Sequence, residues 1–275
     1  MIHIKPLFLR KIAGNAFLAL LAAGLTACAA PAPKPPTLMP RHLLHSPCAQ
    51  ARELPDDPDA DPILFAGCDD AARTEFLRSN IGATVLLRES EYDEAAGQLK
   101  YTGGTGIVID ELGTVLTANH VISDADYIVA TLQDLTENGQ GIKRLRDVPM
   151  SVVAVSPEND AALLRPSHAT AMPAPMVLCR HRLPAVDDVL WHFGRTTTWA
   201  AGKVSQLDVR VNSIDVIEVD VRVNFGDSGG PLVNAAGELV GITLSKSGEN
   251  TMFVVLIDQA LTALKYDGGT DACPE

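Results

Sequence analysis

The stretch Asn224-Phe225-Gly226-Asp227-Ser228-Gly229-Gly230-Pro231-Leu232 decides how the rest of the chain is read. A serine hydroxyl is a weak nucleophile at neutral pH and needs a neighbouring base. It also needs backbone N–H groups aimed at the oxygen that turns negative when a carbonyl is attacked. Glycines beside the serine let the backbone take positive φ and turn those N–H groups inward. Gly226 and Ser228 are the natural donors, while Gly229 and Gly230 leave room for a closely packed loop. A plain glycine-rich turn between strands would account for Gly-Asp-Ser-Gly alone; the full block GDSGGPL is far more specific.

Two segments upstream supply the missing chemistry. Thr117-Ala118-Asn119-His120-Val121 follows an apolar run and offers His120 as the general base, a side chain whose pKa lies near the working pH. Glu158-Asn159-Asp160-Ala161-Ala162-Leu163-Leu164 leads into another apolar run, and Asp160 would hold the imidazole tautomer and stabilise the imidazolium. Alone, a histidine after a strand signals little, and an aspartate before an apolar run is usually a turn residue. In the order His, Asp, Ser they support one another. His42, His45, His168, His181 and His192 lack matching partners and read as structural or solvent-exposed. Trp191 and Trp199 read as core or cleft wall.

Around these segments the texture is that of short strands. Runs rich in Val, Ile, Leu and Thr, separated by Gly, Asp, Asn and Pro, cover 82–88, 106–110, 114–118, 127–132, 150–155 and 160–165. A second series covers 189–193, 202–207, 214–221, 231–233, 239–244 and 252–257. Regular short strands with turn signals indicate an all-β sandwich or barrel. Two sets of about six strands predict two antiparallel β-barrels side by side. A helix is expected over 258–265 at the C-terminal end and a short one over 68–79 before the first strand.

These residues together resemble the trypsin-like superfamily of serine proteases, nearest to the bacterial branch of the HtrA (DegP-like) and glutamyl endopeptidase proteins. Beyond the three site segments, Gly104-Thr105-Gly106-Ile107-Val108-Ile109 resembles the strand preceding the histidine motif, and 152–164 the strand pair carrying the aspartate. Gly194 with Gly202-Lys203-Val204-Ser205 resembles the start of the second barrel, and Leu239-Val240-Gly241-Ile242 the strand flanking the substrate. The likeness spans roughly 80–265. It implies two six-stranded barrels with the site between them, and a polypeptide substrate cleaved through an acyl-enzyme on Ser228, with no cofactor. It implies a substrate pocket at Arg222, Leu244 and Ser245. Where trypsin has an acid at the pocket base this chain has Arg222, which argues against Lys or Arg specificity; Arg222 either selects an acidic side chain or points away. No Ile-Val-Gly-Gly type N-terminus precedes the domain, and no room for a PDZ domain is expected after residue 265. Gly104-Thr105-Gly106 is no dinucleotide fingerprint, because the third glycine is missing.

Composition sets the surroundings. The chain has 275 residues, 47% apolar and only 5% aromatic, with a formal charge of −12. Lys5, Arg10 and Lys11 are the charged residues of the first 27, so their removal takes the charge to −15. Such a surface repels phosphate backbones, and no nucleic-acid partner is expected. A basic start, the short apolar run 13–25 and small residues describe a secretory signal over 1–27. Leu25-Thr26-Ala27-Cys28 resembles the lipobox of bacterial lipoproteins. By that resemblance Cys28 becomes the lipidated first residue, and Ala29 directs the protein to the outer membrane, facing the periplasm. Several acyl chains on one cysteine give near-permanent attachment.

Residues 28–67 hold the lipid site and a proline-dense tether, and 68–275 the globular domain. Export permits disulfides. Cys48, Cys68, Cys179 and Cys273 allow three pairings; Cys48 with Cys68 and Cys179 with Cys273 is preferred for sequence proximity and for tying down the C-terminus. No CxxC or HExxH occurs, and Cys179 with His181 has no second pair, so no metal is expected. The chain is compatible with a monomer. Two other functions fit the same residues: a tethered binding or assembly factor that keeps the protease fold without cleaving, and an esterase on the same machinery.

Overall fold

The computed structural model describes residues 70–273 except 94–97, 140, 197, 198 and 249. The leader, Cys28, the tether, Cys48 and Cys68 lie outside the described residues. Helix α1 (Asp70–Ala83) starts the described chain and runs past the expected end. Phe76, Leu77, Asn80 and Ile81 are buried along it, at the spacing of one helical face. The Asn80 amide donates to the Phe76 carbonyl at 2.7 Å, which satisfies a polar side chain facing the core.

Seven strands follow: β1 (Thr84–Asp93), β2 (Gln98–Thr102), β3 (Thr105–Val108), β4 (Val115–Thr117), β5 (Tyr127–Leu135), β6 (Ile142–Ser156) and β7 (Ala161–Pro166). They form one sheet in the order β2-β1-β3-β4-β7-β6-β5. β1 also pairs with β5, which brings the two sides of the sheet together around a core of Val85, Leu87, Val108, Val115, Ala130 and Leu164. The second set is β8 (Val189–His192), β9 (Ala200–Val211), β10 (Ile214–Asp220), β11 (Pro231–Val233), β12 (Leu239–Ser247) and β13 (Thr251–Leu256). It closes into a barrel in the order β10-β13-β12-β11-β8-β9, around Leu190, Val204, Val219, Leu232 and Val254. Helix α2 (Ile257–Ala263) ends the domain.

The all-β architecture, the closed six-stranded barrel and the terminal helix agree with the sequence. Two corrections apply to the first half. β2 is an extra strand: Gln98–Thr102 is short and pairs with β1 alone at the edge of the sheet. β6 begins well before the expected 150, because its first half is largely solvent-exposed and is held by pairing with β5 rather than by an apolar face. A third cluster, including Phe76, Ile81, Ile107, Leu163, Phe193 and Leu239, draws on α1 and on strands of both sets. Phe76 meets Trp191 edge-on at 5.6 Å. Cys179 and Cys273 are joined, as the sequence led us to prefer, across 94 residues.

Candidate active site

The chain between β4 and β5 makes a single 3₁₀ turn, Asn119–Val121, that carries His120. A matching turn, Pro157–Asn159, ends at Asp160, whose φ of 47° is left-handed. Aspartate tolerates that region better than most residues, and it stops the turn one residue short of β7. The two turns are stitched together. Asn119 N–H donates to the Asp160 carbonyl at 3.0 Å. His120 N–H donates to Asp160 Oδ1 at 2.7 Å, and the ring Nδ1 lies 2.6 Å from Oδ2. Asp160 is 8% exposed, and His120 engages both of its carboxylate oxygens.

A carboxylate only accepts, so Nδ1 carries the ring hydrogen and Nε2 keeps a lone pair. The bond to Asp160 raises the His120 pKa above its ordinary 6.5; burial opposes this, and the charges of Asp160 and Glu89 reinforce it. The side chain is 49% exposed, so the ring is open to a reactant.

Ser228 sits in the loop between β10 and β11 of the second barrel. Asp227 N–H donates to the Asn224 carbonyl at 3.2 Å, and Gly226 has φ 97°. That is the mark of a type II turn, whose third residue needs positive φ. Gly229 has φ 78°, and a Cβ there would lie 2.2 Å from Thr117 Oγ1 and 2.3 Å from the Thr105 carbonyl. Only glycine lets the strands of the first barrel approach the Ser228 loop so closely.

Thr105 of β3 is the clamp. Its N–H donates to the Ser228 carbonyl at 2.9 Å, its hydroxyl donates to the Gly226 carbonyl at 2.9 Å, and the same oxygen accepts from Arg195 N–H at 3.0 Å. Asp227 is fully buried and accepts from Asn224 N–H, Thr196 N–H and the Thr196 hydroxyl, each at 2.8 Å. Neither Thr105 nor Asp227 was singled out from the sequence. The position beside Ser228 was the one available signal for Asp227, and β3 carried none for Thr105.

His120, Asp160 and Ser228 line one cleft of about 780 Å³. Among the described residues no hydrogen bond joins the Ser228 hydroxyl to the His120 ring. Val223, Phe225, Thr243 and Leu244 give the cleft apolar walls, and Ser245 also lines it. Arg222 does not: it is exposed, and the neighbouring Val223 faces the cleft instead. Phe225 is 88% exposed at the rim, with Lys246 Nζ 5.1 Å above its ring. The described residues that group closely enough to hold a metal are Cys179, Glu238 and Cys273, and the disulfide takes up both sulfurs.

Two β-barrel halves, one presenting a His–Asp pair and the other a serine in a glycine turn on the same cleft, define the chymotrypsin-like class. The model of the trypsin-like peptidase domain matches residues 104–242, half of the chain, and the chain belongs to that family. It is 32% identical over 160 residues to the serine endoprotease DegS of Escherichia coli (strain K12), covering 54% of this chain and 41% of that protein. It is 32% identical over 179 residues to the probable periplasmic serine endoprotease DegP-like of Ectopseudomonas mendocina (strain ymp), covering 60% and 35%. The chain thus spans about four tenths of the length of these relatives or less. Among solved structures it is similar to the HtrA-type protease AlgW with tripeptide, at 28% identity and a TM-score of 0.57, covering 69% of this chain and 61% of that one.

Proposed function

We propose that the protein is a serine endopeptidase with Ser228 as nucleophile, His120 as general base and acid, and Asp160 as the group that orients and charges the imidazole. The observation that carries this is the His120–Asp160 pair, bonded through ring and backbone at 2.6 and 2.7 Å on the cleft that Ser228 lines. The Ser228 hydroxyl attacks a peptide carbonyl as its proton passes to His120 Nε2. The oxyanion is received by the N–H groups of Gly226 and Ser228. His120 then protonates the leaving amine, and water, deprotonated by the same nitrogen, releases the acyl group. The apolar wall at Val223, Thr243 and Leu244 favours an uncharged side chain before the cut bond, and the exposed Arg222 takes no part in that choice.

The lipobox at Leu25–Cys28 supports an anchor through a lipid on Cys28, and Ala29 supports the outer membrane of a bacterial envelope, facing the periplasm. The proline-dense segment up to 67 then serves as the tether. The periplasmic relatives fit the same compartment.

A fluorophosphonate probe tests the reading directly. The purified, folded chain is expected to take one probe, and Ser228→Ala none. A folded parent that stays unlabelled, while Ser228→Ala still rescues a deletion strain, would make the protein a binding factor rather than an enzyme.

A further inference from the structure

His192, read from sequence as a bystander, ends β8 directly behind the nucleophile loop. It is 0% exposed. Its Nδ1 lies 3.2 Å from the Pro231 carbonyl and 3.2 Å from Thr243 Oγ1. A carbonyl only accepts, and the Thr243 hydroxyl gives its own hydrogen to Met252 Sδ at 3.2 Å. Nδ1 therefore carries the ring hydrogen. Nε2 is left as a bare lone pair, buried and without a hydrogen-bond partner, 3.9 Å from Asp227 Oδ2. The ring is wedged: a Cβ on Gly194 would lie 2.8 Å from Nε2, and one on Gly230 would lie 2.9 Å from Cε1.

We propose that His192 is a positioning residue for the nucleophile turn, a buried neutral imidazole that fixes the Asp227 carboxylate behind Ser228. A lone pair facing a carboxylate repels it, so Asp227 cannot lean toward β8. Its oxygens stay on the N–H groups of Asn224, within the turn that carries Gly226 and Ser228, and of Thr196, in the loop after β8. The device works only while the ring is neutral, since an imidazolium would pull Asp227 off those donors. Burial secures this by pushing the pKa down to about 4 against the opposing pull of Asp227, the charged group that faces the ring.

The kinetic part of this inference rests on the protease reading, and the geometric part does not. The test uses the full chain. In ¹⁵N spectra the parent is expected to show His192 protonated at Nδ1 and not at Nε2, with no titration between about pH 8 and pH 5. Its Nε2 signal is expected to move when a fluorophosphonate occupies Ser228. His192→Phe keeps the ring volume and removes both nitrogens. It is expected to lower the maximal labelling rate about tenfold with probe affinity within about twofold of the parent. His192→Asn, which restores a donor toward Pro231, is expected to recover part of the loss. A His192→Phe protein that labels at the parental rate would overturn the inference. So would a parent whose His192 titrates at its ordinary value, and this spectrum decides the matter if the Phe variant fails to fold. A parent that takes no probe sinks the protease reading instead, leaving the tautomer spectrum to judge the geometry.

Discussion

Asp160 shows how much one residue carries. It stops a 3₁₀ turn in a left-handed conformation, caps the His120 backbone and fixes the His120 tautomer. The consequence is a pH profile. A raised folded-state pKa means His120 holds its proton more tightly than an isolated imidazole, above 6.5. As pH falls through that raised value the base protonates and the rate is lost, so the acid limb of kcat/KM should have its midpoint above 6.5. Asp160→Asn removes the main cause of the shift. Its acid limb should move down, and its rate should fall on the order of a thousandfold. Initial rates across pH on both proteins check this, and an unmoved limb would place the shift elsewhere.

The elements explain why these side chains meet. The Ser228 loop leaves β10, crosses to touch β3 and returns as β11, and Thr105 is the point of contact. Thr105→Val keeps the shape of the strand but strips the Gly226 carbonyl and Arg195 N–H of a partner. Leaving buried polar groups unpaired costs about 1–3 kcal/mol. Urea unfolding should show that loss, with probe labelling slowed beyond what the unfolded fraction accounts for. Most strands were legible as short runs of Val, Ile, Leu and Thr between turn residues, including the short β4 and β11. The first half of β6 was not, because its pairing with β5, and not a buried face, makes it a strand, and the short edge strand β2 was passed over.

At the scale of the molecule, the join between Cys179 and Cys273 closes a loop of 94 residues and ties the C-terminal segment to the chain before β8. Asp271 bridges to Leu178 beside it, and Ala272 N–H donates to the Leu178 carbonyl at 2.9 Å. Cross-linking a long loop removes entropy from the unfolded chain, so Cys179→Ala with Cys273→Ala should cost about 2–5 kcal/mol. Neither cysteine lines the cleft, so probe labelling per folded molecule should not change. Denaturant midpoints with and without reductant check both halves: the parent should fall toward the double variant on reduction, and the variant should shift much less than the parent.

The sequence alone determined the all-β class, the glycine-built turn at Ser228 and the order in which His120, Asp160 and Ser228 follow one another. Each of these is written in neighbouring residues: apolar runs bounded by turn residues mark strands, and a tight turn demands glycine where φ is positive. Tertiary structure alone decided that Val223 and not Arg222 faces the cleft, that Thr105 clamps the loop, and that His192 stands behind Asp227. Those facts turn on strand register and barrel closure, which bring together residues far apart in the chain, and no local pattern encodes which of them will touch.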